Sequence, residues 1–587
     1  MRFKRPIIAV STVGLLALAA CGGSSTSSDS GTPGGTDTSV SGPQGAAGKA
    51  IDQSVSDGPA PEIDGAQAGG TITAISALGL NTMDPTEAYY TNTASILSAL
   101  VTRSLTQYVY RDGDMVLIPD LATKWSSNDD YTEWTFTIRD DVKYENGDPV
   151  TPEDIAFGIK RSFDRATFPE GANYSNAYFK DGDTYEGPYK SGDKYSGVKI
   201  NGQDLTITMS KPFPDMPYWG AFPAIGPIPE GSVSNPANYS RHPLSTGPYM
   251  FKDYVPEKKL TLVKNPNWDP ATDPGRHQYA DEFDMTFDTP TAKLEQLFLN
   301  DTGDAQSMLS DNSISVDNYL DMKDTGRLVV GSTPCSYYWA PDYRKITDID
   351  VRKALAYAYP YKDAWAAAGL IEGVTRSPGT NMMPPGIPGR KEYNPLPGHE
   401  PGTTDTAKAK ELLDKAGKTG YEISFLFSQD DPGSVDAKDA IVKSLEEAGF
   451  TTKPYATTLA DNSTLRADPN TDINVRSVGW CSDWPTGSSW FPPLFETKNL
   501  EKEGLGSNYA VFSEPAVDKK IADIEQMPIE EQPAAWNDLD KFIAEKYFPT
   551  FSTGYTGVAL LEGSKINGFE DDTVFGEPTW KDLWLTQ

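Results

Sequence analysis

Histidine and cysteine are scarce: the 587 residues contain three of each. His242, His277 and His399 stand in three separate loop-like stretches, with no His-Glu-x-x-His run and no Cys/His pairs at zinc spacing, so no metal ligand set is expected. Phosphate loops are lacking too: "GAAGKA" (45–50) is the nearest approach and follows no strand. No Gly-x-Ser-x-Gly elbow is present, and "DGDTYEG" (181–187) lacks the ligand spacing of a helix-loop-helix calcium site. Positive charge is the other shortage. Lys and Arg total 51 against 83 Asp and Glu, a net charge of -32 that repels phosphate backbones and anionic membrane surfaces, which argues against nucleic acid as a partner. Carboxylates are so common that adjacent pairs carry no information about catalysis. Nothing here points to an enzyme, a metal or a cofactor.

What is present suits a large globular protein. Hydrophobic residues are 38% and aromatics 11% of a chain too long for one core, so two or more lobes are expected. At the start, Arg2, Lys4 and Arg5 precede an apolar run, Ile7 to Ala20, too short for a comfortable membrane span, which predicts a secretory signal over 1–20. "LAAC" (18–21) resembles the lipobox of bacterial lipoproteins, which implies acylation of Cys21. From 21 to 69, Gly, Ser, Thr, Pro and Asp dominate, and so polar a segment cannot bury enough surface to offset chain entropy. It is expected to be a disordered tether, with a reach of about 40 Å if it behaves as a Gly/Ser-type coil.

Order begins near Thr71. "TITAISA" alternates like a strand, "LNTMDPTEA" is a turn, and Ala94 to Leu105 carries helical spacing. "EWTFTIRDDVKY" predicts a strand with Trp134, Phe136 and Ile138 on one face; in "NGDPVTPEDIAFGIKRSF", Thr151, Pro152 and Asp154 form a capping box opening a helix. The stretch from about Phe168 to Gly197 looks like a surface insertion. Later, "TAKAKELLDKAGK", "YEISFLF", "DAKDAIVKSLEEAGF" and "TTKPYATTL" alternate helix and strand, the order of an α/β lobe. One loop does not fit a core pattern: "GWCSDWPTGSSWFPP" (479–493) sets three tryptophans, a cysteine and Asp483 among prolines and glycines. It is either a surface loop folded over its own aromatics or a binding wall with one fixed charge.

Several stretches together resemble one family. "LIPDLATKWSSNDDYTEWTFTIRDDVKYENGDPVTPEDIAFGIKR" (117–161) is similar to the signature segment of the large solute-binding proteins of ATP-driven peptide and nickel importers. "STGPYMFKDYVPEKKLTLVKNPNW" (245–268), "DIDVRKALAYAY" (348–359) and "GSNYAVFSEPAVDKKI" (506–521) resemble later family elements in the same order. The resemblance implies an α/β, bilobal periplasmic-binding-protein-like fold with an additional third lobe and a hinge. Its boundaries are expected at 70–114 with 244–332 and 546–587 for lobe I, 115–243 for lobe II, and 333–545 for lobe III. The implied role is capture of an oligopeptide and delivery to membrane permease subunits by a monomer held to the outer face of the bacterial membrane by its lipid alone.

Within the oligopeptide-binding branch, a Trp-Cys-x-Asp motif supplies the aspartate that pairs with the ligand's free α-amino group, and "WCSD" puts Asp483 there. Trp480 and Trp484 are then either pocket walls or core. "CSYYW" matches that branch's Cys-plus-aromatic segment, so Tyr337, Tyr338 and Trp339 are ligand-contact candidates, and the resemblance implies a Cys335–Cys481 disulfide; two buried free thiols are the alternative. The chain departs from the branch at Ala340, where an acid is usual, and at Arg476, one residue further from the loop than expected, which on a strand turns a side chain to the other face. Another solute of the same family, a surface peptide receptor and a secreted hydrolase stay open.

Overall fold

The computed structural model describes residues 51–80, 82–111, 114–230, 236–500 and 505–587; the signal, Cys21 and residues 22–50 of the tether lie outside them. Along the chain, β1 (Thr71–Ile75) is followed by a hairpin of β2 (Thr106–Arg111) and β3 (Asp114–Pro119). Then come β4 (Ala122–Ser127), β5 (Glu133–Ile138), β6 (Val198–Asn201) and β7 (Asp204–Thr208), which make a four-stranded antiparallel sheet in the order β4-β5-β7-β6. β5 turns Trp134, Phe136 and Ile138 to one core, as its alternation predicts. The helix Pro152–Arg161 opens with the expected capping box, Thr151 N–H donating to Asp154 Oδ2 at 2.9 Å, a device that contributes about 1 kcal/mol.

The chain then returns to the first sheet through β8 (Tyr249–Val255), β9 (Lys259–Lys264), β10 (Glu282–Thr286) and β11 (Met308–Ser310). Two long strands follow much later in that sheet: β12 (Leu328–Pro341) and, after β13 (Arg376–Ser377), the parallel pair β14 (Glu422–Ser428) and β15 (Thr451–Thr457), and β16 (Val475–Cys481), comes β17 (Phe551–Glu562). One sheet runs β16-β12-β17-β11-β1-β10-β9-β8, with β13 pairing β17. The parallel pair carries the helices Thr406–Ala416 and Pro432–Glu447, giving the α/β layer that the alternation predicts.

The continuous sheet bears on the boundary drawn at 332/333, which falls inside β12. The β12–β17 ladder shifts register between Ser332 and Ser336 and again between Tyr337 and Tyr338, so one strand pair carries three differently registered stretches. On the β1 side the neighbours are the cluster of Ile72, Leu262, Phe283 and Leu560; beyond the shift, Trp339 enters one core and Tyr338 another. Two compact bodies thus share a sheet with no break in composition to mark the crossing.

The tether is shorter than its composition predicts. Residues 51–69 lie on the body: Asp52 N–H donates to Leu117 O at 2.9 Å, Gly58 N–H to Ala271 O at 3.0 Å and Gly69 N–H to Tyr279 O at 2.9 Å. Arg111 donates to Asp52 at 3.1 Å, and Gln53 accepts from Trp125 N–H at 3.0 Å. The segment has no core of its own; its backbone groups are satisfied by a surface that already exists, a partner that composition cannot register.

Candidate functional site

β16 pairs with β12 so that Cys481 faces Cys335, and the two are joined in a disulfide with Cα atoms 4.0 Å apart. Past the bridge the chain leaves the ladder: Ser482 N–H donates to Pro334 O at 2.9 Å and Asp483 N–H to Ser489 Oγ at 2.9 Å, closing the aromatic loop on itself. A turn at Gly487–Ser489 ends it, where a Cβ on Gly487 would meet the Trp536 side chain at 2.3 Å, so a larger residue would push the loop out.

The loop presents Asp483 to two distant segments. Tyr89, between β1 and β2, donates its hydroxyl to Oδ1 at 2.7 Å, and Tyr174, from the stretch read as a surface insertion, donates to Oδ2. Burial raises the Asp483 pKa, and the Tyr174 and Tyr89 hydroxyls pull it back by favouring the carboxylate. Among the described residues no cation pairs with it. An acid held between hydroxyls with no counter-charge is suited to accept one from a ligand, since charge-assisted bonds in a shielded site are stronger than exposed ones.

The two tryptophans beside Asp483 go opposite ways. Trp480 is partly buried against the core containing Val478 and Trp490, its Nε1 donating to Ser489 O at 2.9 Å. Trp484 is buried in the core of the four-stranded sheet, 4.6 Å from the Tyr174 ring and 6.0 Å from Phe213. Ser488 of the same loop donates to Asp215, a carboxyl that burial pushes up to about 6. One loop is therefore wedged between bodies built on different sheets.

The other candidates are dispersed by strand alternation. Tyr338 and Trp339 are 2% and 1% exposed and belong to two cores, so neither offers a surface to a ligand; Tyr337 alone of the triplet is partly exposed. Arg476 is buried and turned away, paired with Asp342 at 3.2 Å, as its one-residue slip predicts. Sequence reasoning missed Tyr89, Tyr174 and Asp215. The paired tyrosines of "EAYY" in a turn were the available signal for Tyr89, and nothing local marked the others.

Residues 116–502 match the bacterial extracellular solute-binding proteins, family 5, and the chain belongs to that family. Among relatives, the probable D,D-dipeptide-binding periplasmic protein of Escherichia coli (strain K12) is 26% identical over 420 residues, covering 68% of this chain and 72% of the relative. The periplasmic oligopeptide-binding protein of Salmonella typhimurium is 24% identical over 436 residues, 69% of this chain and 73% of its own. The solved structure of the clavulanic acid biosynthesis oligopeptide binding protein 2 shares the fold with a TM-score of 0.81 at 22% identity, over 89% of this chain and 96% of that one.

Proposed function

We propose that this protein captures oligopeptides between closing lobes and delivers them to a membrane permease. The observation that carries the reading is Asp483: a carboxylate shared by Tyr89, Tyr174 and the β16 loop, with no cation paired to it among the described residues, where a free α-ammonium would complete the charge. Family membership and the two peptide-binding relatives supply the ligand class. The lobes follow the boundaries expected from the sequence, with bending at the β12–β17 register shift. Capture needs no covalent step. Cys21 is the acylation site in this reading, and residues 22–50 separate the body from the membrane.

The test begins with ligand released by acid from purified protein and identified by mass spectrometry. Short peptides of mixed sequence are expected; a single non-peptide species would overturn the ligand class and leave the fold. With a peptide in hand, Asp483→Asn should weaken binding of its free-amine form by tenfold or more and leave the N-acetylated form nearly unchanged. Equal losses for both forms would remove Asp483 from the amine site.

A further inference from the structure

A cavity of about 240 Å³ is bounded by residues 60–63, the β2–β3 hairpin, residues 274–277 and the C-terminal stretch 572–582. None of Asp483, Tyr89, Tyr174, Trp480 or Trp484 lines it, so it stands apart from the amine site. Val109, Met115, Phe575 and Trp580 give it apolar walls. Both its size and these walls suit a small organic molecule better than water alone.

Four basic side chains border the cavity, and three are already matched. Arg276 pairs with Asp120 at 2.9 Å and Asp273 at 3.1 Å, Arg111 with Asp52 at 3.1 Å, and His277 with Asp582 at 2.8 Å. Lys581 is the exception: among the described residues no carboxylate pairs with it. Its Nζ donates to Gln107 Oε1 at 3.0 Å and to Tyr108 O at 2.5 Å, which leaves the third N–H of an ammonium unspent. Burial and the Arg276 charge push this amine down to about 7, opposed by Asp273, Asp120 and Asp572. Asp572 lines the cavity too; burial pushes its carboxyl up to about 6, and it accepts from Val574 and Phe575 N–H at 2.9 and 3.2 Å. Glu62 stands exposed at the outer rim. An ammonium so poorly solvated is stabilised by an anion that enters beside it.

A second polar group is open. Tyr108 is 4% exposed and lines the same cavity, and its hydroxyl has no hydrogen-bond partner. Native proteins seldom leave a buried polar group in that state. The neighbouring chain is shaped to the lysine: a Cβ on Gly275 would stand 2.4 Å from Gln107 Oε1 and 2.6 Å from Val109 Cγ1, so a larger residue would drive Gln107 away from Lys581.

We propose that this cavity is a second ligand site, taking a small monocarboxylate whose carboxylate pairs with Lys581 and whose apolar body lies against Val109 and Phe575. Residues 60–63 form one of its walls, so an occupant bears on the segment that leads to the tether.

The experiment is calorimetric titration of the purified protein with benzoate and hexanoate, each beside its amide. At least one acid should bind at least tenfold more tightly than its amide. At pH 8, compared in buffers of different ionisation enthalpy, its binding should take up close to one proton, because the anion restores charge to an amine that is largely neutral there. Affinity should fall as pH rises through 7, approaching tenfold per unit. Lys581→Gln should remove both the acid-to-amide ratio and the proton uptake, and Lys581→Met, which keeps the apolar stem, should do the same. Uptake that persists in both variants would assign the proton to His277 or Asp572 and overturn the Lys581 pairing. Bound acid should also slow amide exchange at Gly58, whose N–H donates to Ala271 O at 3.0 Å close to the cavity wall; unchanged exchange across 51–69 would place the acid elsewhere and overturn the site. Equal binding of acid and amide, or binding by none of the four compounds, overturns the proposal and leaves peptide capture, which is read at Asp483, untouched.

Discussion

Tyr337–Trp339 and Trp480–Trp484 are the two aromatic segments that meet at one disulfide, and they have opposite fates. The first lies inside a long strand, so alternation sends Tyr338 and Trp339 to two different cores. The second leaves its strand after Cys481: Trp480, still paired with Ser336 in the ladder, stays with its own body, while Trp484, beyond it, crosses to the core of the four-stranded sheet. Aromatic content is similar in both. What distinguishes a core segment from a bridging one is whether the backbone is still paired in a ladder.

Four measurements sharpen or break that contrast. The largest effect should come from the bridge that holds the segments together. It closes a loop with a sequence separation of 146, and chain-entropy accounting assigns such a loop about 5 kcal/mol. Denaturant titration of Cys335→Ser/Cys481→Ser should show a loss approaching that value; an unchanged midpoint would mean that the ladder alone fixes the loop. Next, Trp339→Ala should cost about 3–5 kcal/mol of folding stability, as large-to-small changes in a packed core do. Trp484→Ala should instead fall mainly on ligand affinity, and equal losses of melting temperature for both would erase the distinction between core and bridge.

Third in size is a pH effect at the same crossing. The Asp215 carboxyl, pushed up to about 6 by burial, holds its proton more firmly folded than unfolded. Stability from this group is therefore present near pH 4 and is lost as pH rises towards 6, by about 3 kcal/mol across the interval. Asp215→Asn should flatten that slope in thermal melts between pH 4 and 7, and an unaltered slope would assign it to other carboxyls. Smallest is Tyr89→Phe. Losing a hydroxyl that favours the Asp483 carboxylate should move the acid limb of free-amine peptide binding to higher pH; a shift to lower pH would contradict the hydrogen bond as drawn.

Much of the fold was legible because its signals are local. The Trp134/Phe136/Ile138 alternation, the Thr151–Asp154 box and the helix–strand order after residue 405 each depend on neighbours within a few residues. Asp483 was legible only through resemblance, since one acid in a Pro/Gly-rich loop has no periodicity to interpret. Tyr89 and Tyr174 were not, because what gives them a role is contact across 394 and 309 residues of sequence. The ordering of 51–69 was hidden for the same reason: its partners, Leu117, Ala271 and Tyr279, are all remote.

That N-terminal strap has a mechanical consequence. Traction on residue 51 is borne first by Leu117 and Arg111 of the β2–β3 hairpin, then by Ala271 and Tyr279, as a zipper opened from one end. The strap makes none of these contacts with β14, β15 or their helices. Whatever pulls on the chain upstream therefore loads the β2–β3 hairpin and the segments around Ala271 and Tyr279 before it reaches the layer built on β14 and β15.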